Sequence, residues 1–292
     1  MGAAAMDTVA RVQTFPQQDD IVSPLEIRRI PGGSAANVAV ALSRLGAETV
    51  FLGTVGGDAD GDAIIRAFAD ERVSCAHLLR LPQGRTAGAF IAVDENGERI
   101  MFSLGGDAVY TDVSQLDGID FSADALYIAE SFPAVGVEAA RRVRAHGGRV
   151  FFAPGGVLCG YGLAEIAPLV QACDTMLLST PELAKLTGSD DVRSGADALF
   201  SQGVPSLLVT QGARGAALCI PNGFVFSPPA PARVVDTTGA GDAFAAAYLF
   251  SELRGDAPKN RLSFANRCAA FAIERSGART SPLLDEIERP QE

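Results

Sequence analysis

The residues best placed to do chemistry form one run, Asp236-Thr237-Thr238-Gly239-Ala240-Gly241-Asp242. A β-rich stretch ending in Arg233-Val234-Val235 precedes it. A helical apolar pattern from Ala243 to Phe250 follows it. The glycines therefore fall where a helix begins. The first N–H groups of a helix lack intrahelical acceptors and share the positive end of its dipole. Small residues let an anion approach that backbone closely, so the turn predicts a phosphate cradle. Asp242 closes the turn, next to where such an anion would sit. Asp is also a favoured helix cap, so the turn alone leaves a purely structural role open.

A second run, Pro31-Gly32-Gly33-Ser34-Ala35-Ala36-Asn37, leads into Val38, Val40, Leu42 and Leu45 at helical spacing. Ser34 is the expected cap and Gly46 the expected stop. Asn37 falls in the first turn. Glycine turns at 32–33, 155–156, 212–215 and 239–241 all follow strand-like runs. Open α/β sheets bind ligands at the carboxyl ends of their strands, so these turns converge on one crevice.

The elements that must position them follow from periodicity. Strands are expected at 8–12, 21–30 and 50–56, with a short helix at 63–69. Asn96-Gly97 between β-rich runs at 86–93 and 98–104 signals a hairpin. From Asp124 the pattern alternates, with strands at 126–129, 149–152, 175–178 and 206–210 and helices at 135–145, 163–172, 181–186 and 195–201. A hairpin at 216–220 and 224–226 follows. This predicts one α/β domain over residues 1–292, a doubly wound, mostly parallel sheet with helices on both faces. A small β flap is expected from segments 8–30 and 86–104.

The formal net charge of −11 argues against nucleic acid as a partner, because nucleic-acid binders carry a basic face. Cys75, Cys159, Cys173, Cys219 and Cys268 form no C-x-x-C, which fits free thiols better than disulfides or zinc. His77 and His146 stand in no metal or triad motif. The acidic run 57–62 reads as a helix entry, since it lacks the spacing of a calcium loop. There is no P-loop lysine, and Phe244 stands where a dinucleotide fingerprint needs its third glycine. No apolar run reaches membrane-spanning length and no signal-peptide pattern opens the chain, so no membrane is expected and the cytoplasm is.

Taken together, GGSAANVAVALSRLGA at 32–47 and DTTGAGDAF at 236–244 resemble the paired signatures of the ribokinase (phosphofructokinase-B) family of carbohydrate kinases. The similarity runs over essentially the whole chain. It implies ATP-dependent phosphorylation of a hydroxymethyl group and a ribokinase-like fold with a β-sheet lid. By position, Asp242 resembles the catalytic base, and Gly239, Ala240 and Gly241 the anion hole. Asp7, Gly32, Gly33, Asn37 and Glu130 match substrate contacts. Ser179, Thr210, Gly212, Gly215 and Asn266 match nucleotide positions. Glu182 matches a residue that holds Mg²⁺ through water. Asp236 and Thr238 match ligands of a monovalent cation such as K⁺, with backbone help around Gly277 and Ser281. A homodimer through the lid is consistent with the family.

Three departures stand out. Ser179 replaces the Asn of the family's N-x-x-E motif, and Ala153 replaces an Asp or Asn before Pro154. Members also carry a central strand before the glycine matching Gly2, which predicts a trimmed or misassigned start, checked by intact mass. A sugar is the leading substrate. A nucleoside is the competitor, with Phe102, Phe132 or Tyr110 stacking on a base. A catalytically silent sugar- or nucleotide-binding regulator is the alternative of a different class.

Overall fold

Phe151 and Phe152 are adjacent in sequence, both fully buried, and belong to two different apolar clusters. Successive side chains of a strand point to opposite faces, so this strand is covered on both sides. The same alternation puts Leu177 in one cluster and Met176 and Leu178 in the other, and likewise Leu208 against Leu207 and Val209.

The computed structural model describes residues 1–288. Its first part contains β1 (Ala5–Arg11), β2 (Glu26–Gly32), α1 (Ser34–Arg44), β3 (Val50–Gly56), α2 (Ala59–Asp70), β4 (Ser74–Leu81), β5 (Gly88–Val93) and β6 (Arg99–Gly105). Next come β7 (Ala125–Ile128), α3 (Pro133–Ala145), β8 (Arg149–Phe152), α4 (Gly155–Tyr161), α5 (Leu163–Ala172), β9 (Thr175–Ser179), α6 (Thr180–Thr187), α7 (Val192–Phe200) and β10 (Leu207–Thr210). The chain continues with β11 (Ala216–Ile220), β12 (Gly223–Ser227), α8 (Ala240–Leu253), α9 (Pro258–Ile273) and α10 (Leu284–Glu288).

The main sheet runs β12-β11-β10-β9-β8-β7. Strands β7 to β10 pair in parallel, and β11 and β12 add an antiparallel edge. The parallel pair β3-β4 lies beyond β7. Met1 and Gly2 join the two, since the Met1 carbonyl accepts from Ala129 N–H and Gly2 N–H donates to the Leu52 carbonyl, each at 3.1 Å. Helices α1, α8 and α9 cover one face, and α3, α5, α6 and α7 the other. The doubly wound α/β architecture expected from the alternation is the one observed. A separate sheet, β2-β1-β5-β6, stands over the glycine end of α1, with segments 8–30 and 86–104 falling within it and its loops.

Several local expectations change. Residues 21–25 are exposed coil, and β2 starts only at Glu26, because Pro24 cannot join a ladder. Strand β4 escapes notice because Cys75, His77 and Arg80 blur its alternation. Helix α4 begins directly at Gly155-Gly156, where glycines suggested a turn. Arg233 to Val235 form no strand: Val235 and Asp236 instead donate to the Ile273 carbonyl at 2.8 and 3.1 Å, laying the segment along the end of α9. The acidic run does enter a helix, with the Asp58 side chain accepting from Gly61 N–H. Among the described residues, no helix is long and apolar enough to cross a membrane.

Candidate active site

The amino ends of α1 and α8 meet, and their side chains bond across the join. Asp242 is the third residue of α8, whose N-cap is Gly239 in the left-handed region. Asp242 therefore does not cap its helix. One carboxylate oxygen accepts from the Ser34 hydroxyl at 2.7 Å and the other from the Asn37 amide at 2.8 Å. Ser34 does not cap α1 either, because Gly33 takes the N-cap position and the serine hydroxyl is committed to Asp242. Two residues read as helix starters are thus the cross-helix partners of one carboxylate.

Burial pushes the Asp242 carboxyl up to about 6, against the hydrogen bonds from Asn37 and Ser34 and the Arg279 charge, which favour ionisation. This is a stronger base than an ordinary Asp, closer to neutral working pH. If Asp242 acts ionised, kcat/KM should rise with pH through about 6 and plateau above it. A pH–rate profile still flat down to pH 4.5 would contradict that role.

Asp7, on β1, faces the same space and accepts from Ala89 N–H at 3.0 Å. Burial raises its pKa, opposed by that bond and by the charge of Arg279. Gly32 lies against it: a Cβ there would stand 2.1 Å from an Asp7 carboxylate oxygen. Gly32→Ala should displace the Asp7 carboxylate, raising the KM of a substrate held there at least about tenfold while leaving that of a co-substrate bound elsewhere unchanged. Steady-state titration of each substrate checks it. Gly33 sits between this turn and the Ala3 carbonyl. Glu130 follows β7. Burial raises its pKa, and its Oε2 is buried without a protein partner among the described residues.

At the start of α8, Ala240 N–H is turned onto the Thr237 carbonyl at 3.3 Å, whereas Gly239 and Gly241 N–H meet no protein acceptor among the described residues. The open amides of the expected anion hole are therefore the two glycines. Asp236 clamps the turn, accepting from Thr238 N–H and Gly277 N–H, each at 2.9 Å. Ser281 Oγ is buried without a partner among the described residues. Arg99 of β6 reaches over to the Thr238 hydroxyl at 3.2 Å, linking the smaller sheet to this turn.

Of the positions expected to meet a nucleotide, Ser179, Thr210, Gly212 and Gly215 lie along the carboxyl ends of β9 and β10, and Asn266 lies on α9. Ser179 caps α6 in a capping box, donating to one Glu182 oxygen at 2.8 Å through its hydroxyl and 2.7 Å through its N–H. This gives the serine a structural task and leaves the other Glu182 oxygen free among the described residues. Among the described residues, no group of three or more His, Cys, Asp or Glu could cage a metal. Glu182 fits the single-carboxylate, water-rich binding that Mg²⁺ favours beside phosphates. Thr210 ends β10, and Gly212 and Gly215 bound the 211–215 turn, closed by Gln211 N–H on the Gly215 carbonyl at 2.8 Å. Asn266 is buried, and its amide donates to the Ser227 and Pro228 carbonyls at 3.3 and 2.8 Å, so it ties α9 to the loop after β12.

Tyr110 is buried with its hydroxyl on the His77 carbonyl, which removes it as a stacking surface. Phe102 and Phe132 are exposed. Phe132 borders a cavity of about 570 Å³ beside Glu130, lined further by Val109, Val157, Leu158 and Tyr161. Sequence reasoning missed Ser34 as a functional residue and Arg279 altogether. The Arg279 guanidinium donates to Asn37 Oδ1 at 3.2 Å and to the Gly32 carbonyl at 3.4 Å. No motif flags it, because only the fold brings the carboxyl-terminal loop to α1.

Fold and site together define a class: a doubly wound α/β protein with a desolvated carboxylate beside open amides at a helix start. A model of the pfkB family carbohydrate kinases matches residues 1–285, and the chain belongs to that family. It is 31% identical over 290 residues to an ATP-dependent ribose-1-phosphate kinase of Halopiger xanaduensis, covering 98% of this chain and 95% of that one. It is 32% identical over 284 residues to an aminoimidazole riboside kinase of Salmonella typhimurium, covering 89% and 87%. The structure of Arabidopsis thaliana ribokinase complexed with ribose and ATP matches with a TM-score of 0.86 at 24% identity, over 98% of this chain and 95% of that chain, a likeness of fold.

Proposed function

We propose that this chain is an ATP-dependent kinase that phosphorylates the hydroxymethyl group of a sugar, with Asp242 as the base. The observation that carries this reading is the Asp242 carboxylate, half-buried and held by Ser34 and Asn37 beside Asp7 and Gly32. Asp7, Gly32, Gly33, Asn37 and Glu130 hold the sugar, since carboxylates accept from its hydroxyls and an amide both donates and accepts. Asp242 hydrogen-bonds the acceptor hydroxyl and takes its proton as the oxygen–phosphorus bond forms. The bond between the γ-phosphorus and the bridging oxygen breaks, and ADP leaves. The Gly239 and Gly241 N–H groups stabilise charge on the transferred group. The 210–215 turn, Ser179 and Asn266 border the nucleotide, the last by fixing the 227–228 backbone.

Mg²⁺, held through water by Glu182, would neutralise phosphate charge. Asp236 and Thr238, with backbone groups around Gly277 and Ser281, would hold a monovalent cation, which would supply positive charge near the turn. The β2-β1-β5-β6 sheet acts as a lid that excludes water from the crevice. Its exposed Ile27, Met101, Phe102 and Leu104 support a homodimer through the lid.

One observation favours a nucleoside as the acceptor instead. The cavity beside Glu130 is mainly apolar, with Phe132 in its wall, and the charged side chains lining it are the carboxylates Glu130 and Glu165. It suits an uncharged ring better than a phosphate. An ADP-release screen with ATP and Mg²⁺ across pentoses, hexoses, sugar phosphates, keto-deoxy acids and nucleosides separates these acceptors. Turnover with a free sugar supports the first reading and turnover only with nucleosides the second. Sugar binding with no ADP release from any acceptor would point to a silent regulator and overturn both.

A further inference from the structure

We propose that Arg279 is a positioning residue for phosphoryl transfer, fixing the side-chain amide of Asn37 so that its nitrogen faces Asp242. The proposal rests on the reading of Asp242 as the base. The two ends of an Asn amide have the same shape and opposite hydrogen-bonding character. A guanidinium can only donate. Arg279 Nε lies 3.2 Å from one end of the Asn37 amide, so that end is the oxygen. The other end, the NH₂, is then presented to Asp242 Oδ2 at 2.8 Å. The ionised carboxylate, which only accepts, selects the same end; once Asp242 has taken up the proton it can also donate, and Arg279 then keeps the amide from turning over. The guanidinium also donates to the carbonyl of Gly32, the glycine packed against Asp7. One side chain thereby braces both the base and the sugar-binding turn.

Arg279 is itself held in place. Its guanidinium lies over the Phe68 ring, 5.3 Å from the centroid. Its carbonyl and that of Ser281 accept from Arg44 Nη1 at 2.8 and 2.9 Å. Arg44 is paired with Glu71 and lies at the end of α1, the helix that carries Asn37. The carboxyl-terminal loop is therefore docked along α1 at two points, Arg44 and Asn37. Arg279 Nη1 is nonetheless buried without a partner among the described residues, which costs stability.

The charges facing Asp242 come from several elements. Glu130 beyond β7 raises its pKa, and Arg279 from the carboxyl-terminal loop lowers it. Tyr127 of β7 is coupled to it and stays neutral, its own pKa raised by burial and by the nearby carboxylates. The charge of Asp7 on β1 also acts on Arg279. An arginine keeps its charge at neutral pH. Removing that cation should raise the Asp242 titration.

The test compares Arg279→Gln and Arg279→Lys with the wild-type protein. Arg279→Gln should keep its fold by circular dichroism and lose about tenfold or more in kcat, the scale typical of a group that orients another. Its ATP KM should be unchanged, and the acid limb of kcat/KM should move to higher pH. Arg279→Lys should return that limb towards wild type. In an Asn37→Ala background, Arg279→Gln should add little further loss, because the two act in series. Carbon-13 NMR titration of the Asp242 carboxyl in the free protein gives a readout that needs no turnover, and it should move up in Arg279→Gln. An unmoved titration overturns the proposal, as does a kcat loss that adds fully to that of Asn37→Ala. Wild-type protein inactive on every acceptor would instead remove the kinase reading, with the NMR titration still deciding what Arg279 does to Asp242.

Discussion

Asp242→Asn should lower kcat at least about a hundredfold while leaving the fold and ATP binding intact. The size follows from the role: an amide cannot accept the hydroxyl proton, and no second carboxylate bonds to both Ser34 and Asn37. The local hydrogen bonds can survive the change. The new amide oxygen can accept from Asn37, and its NH₂ can donate to Ser34, whose hydroxyl also accepts.

Stability gives an independent check with a definite sign. The folded-state pKa of Asp242 is raised from the ordinary carboxylate value to about 6. Its favourable contribution is therefore present below the ordinary value and lost as pH rises through about 6. At pH 8 the wild-type protein carries a desolvated carboxylate that the Asn variant lacks. The variant should melt no lower than wild type at pH 8, with any advantage shrinking as pH falls towards 4. Turnover near the wild-type rate would remove Asp242 as the base. A large drop in melting temperature would show that the carboxylate is mainly a structural link between α1 and α8.

Gly239→Ala should cost kcat about a hundredfold and stability about 1–3 kcal/mol, by a different route. Gly239 has φ of 77°, in the left-handed region, where an L side chain is strained. A Cβ there would stand 2.2 Å from the Ala278 carbonyl oxygen, a backbone atom that no rotamer change can move aside. Relief requires the start of α8 and the carboxyl-terminal loop to separate. That loop bonds Gly277 N–H to Asp236 and carries Arg279, so separation disturbs the anion hole and the bracing of Asn37 together. Chemical denaturation and single-turnover phosphoryl transfer measure the two effects. A variant of wild-type stability and rate would mean that the turn tolerates displacement and that its amides are not held for an anion.

Much of the fold was legible because it rests on period. The change from alternating runs to helical spacing after Asp124 marks the parallel sheet directly, since strands covered on both faces become continuously apolar. Asn96-Gly97 marks its hairpin for an equally local reason. The errors fall where local signals mislead: Cys75, His77 and Arg80 hide a strand, Gly155-Gly156 opens a helix, and Val234-Val235 leave the sheet despite their β propensity. The sequence by itself determined the family, the glycine turns, and Asp242 as the residue to test. Only the tertiary structure decided what those residues do to one another. Ser34 and Asp242 look like caps when each helix is considered alone; brought end to end, they bond across the join instead. Ser179 becomes the cap that closes on Glu182, Asn266 a clamp on a loop, and Tyr110 a buried donor. Arg279 carries no motif, because its role comes from docking beside α1, a contact between chain ends that no local spacing encodes.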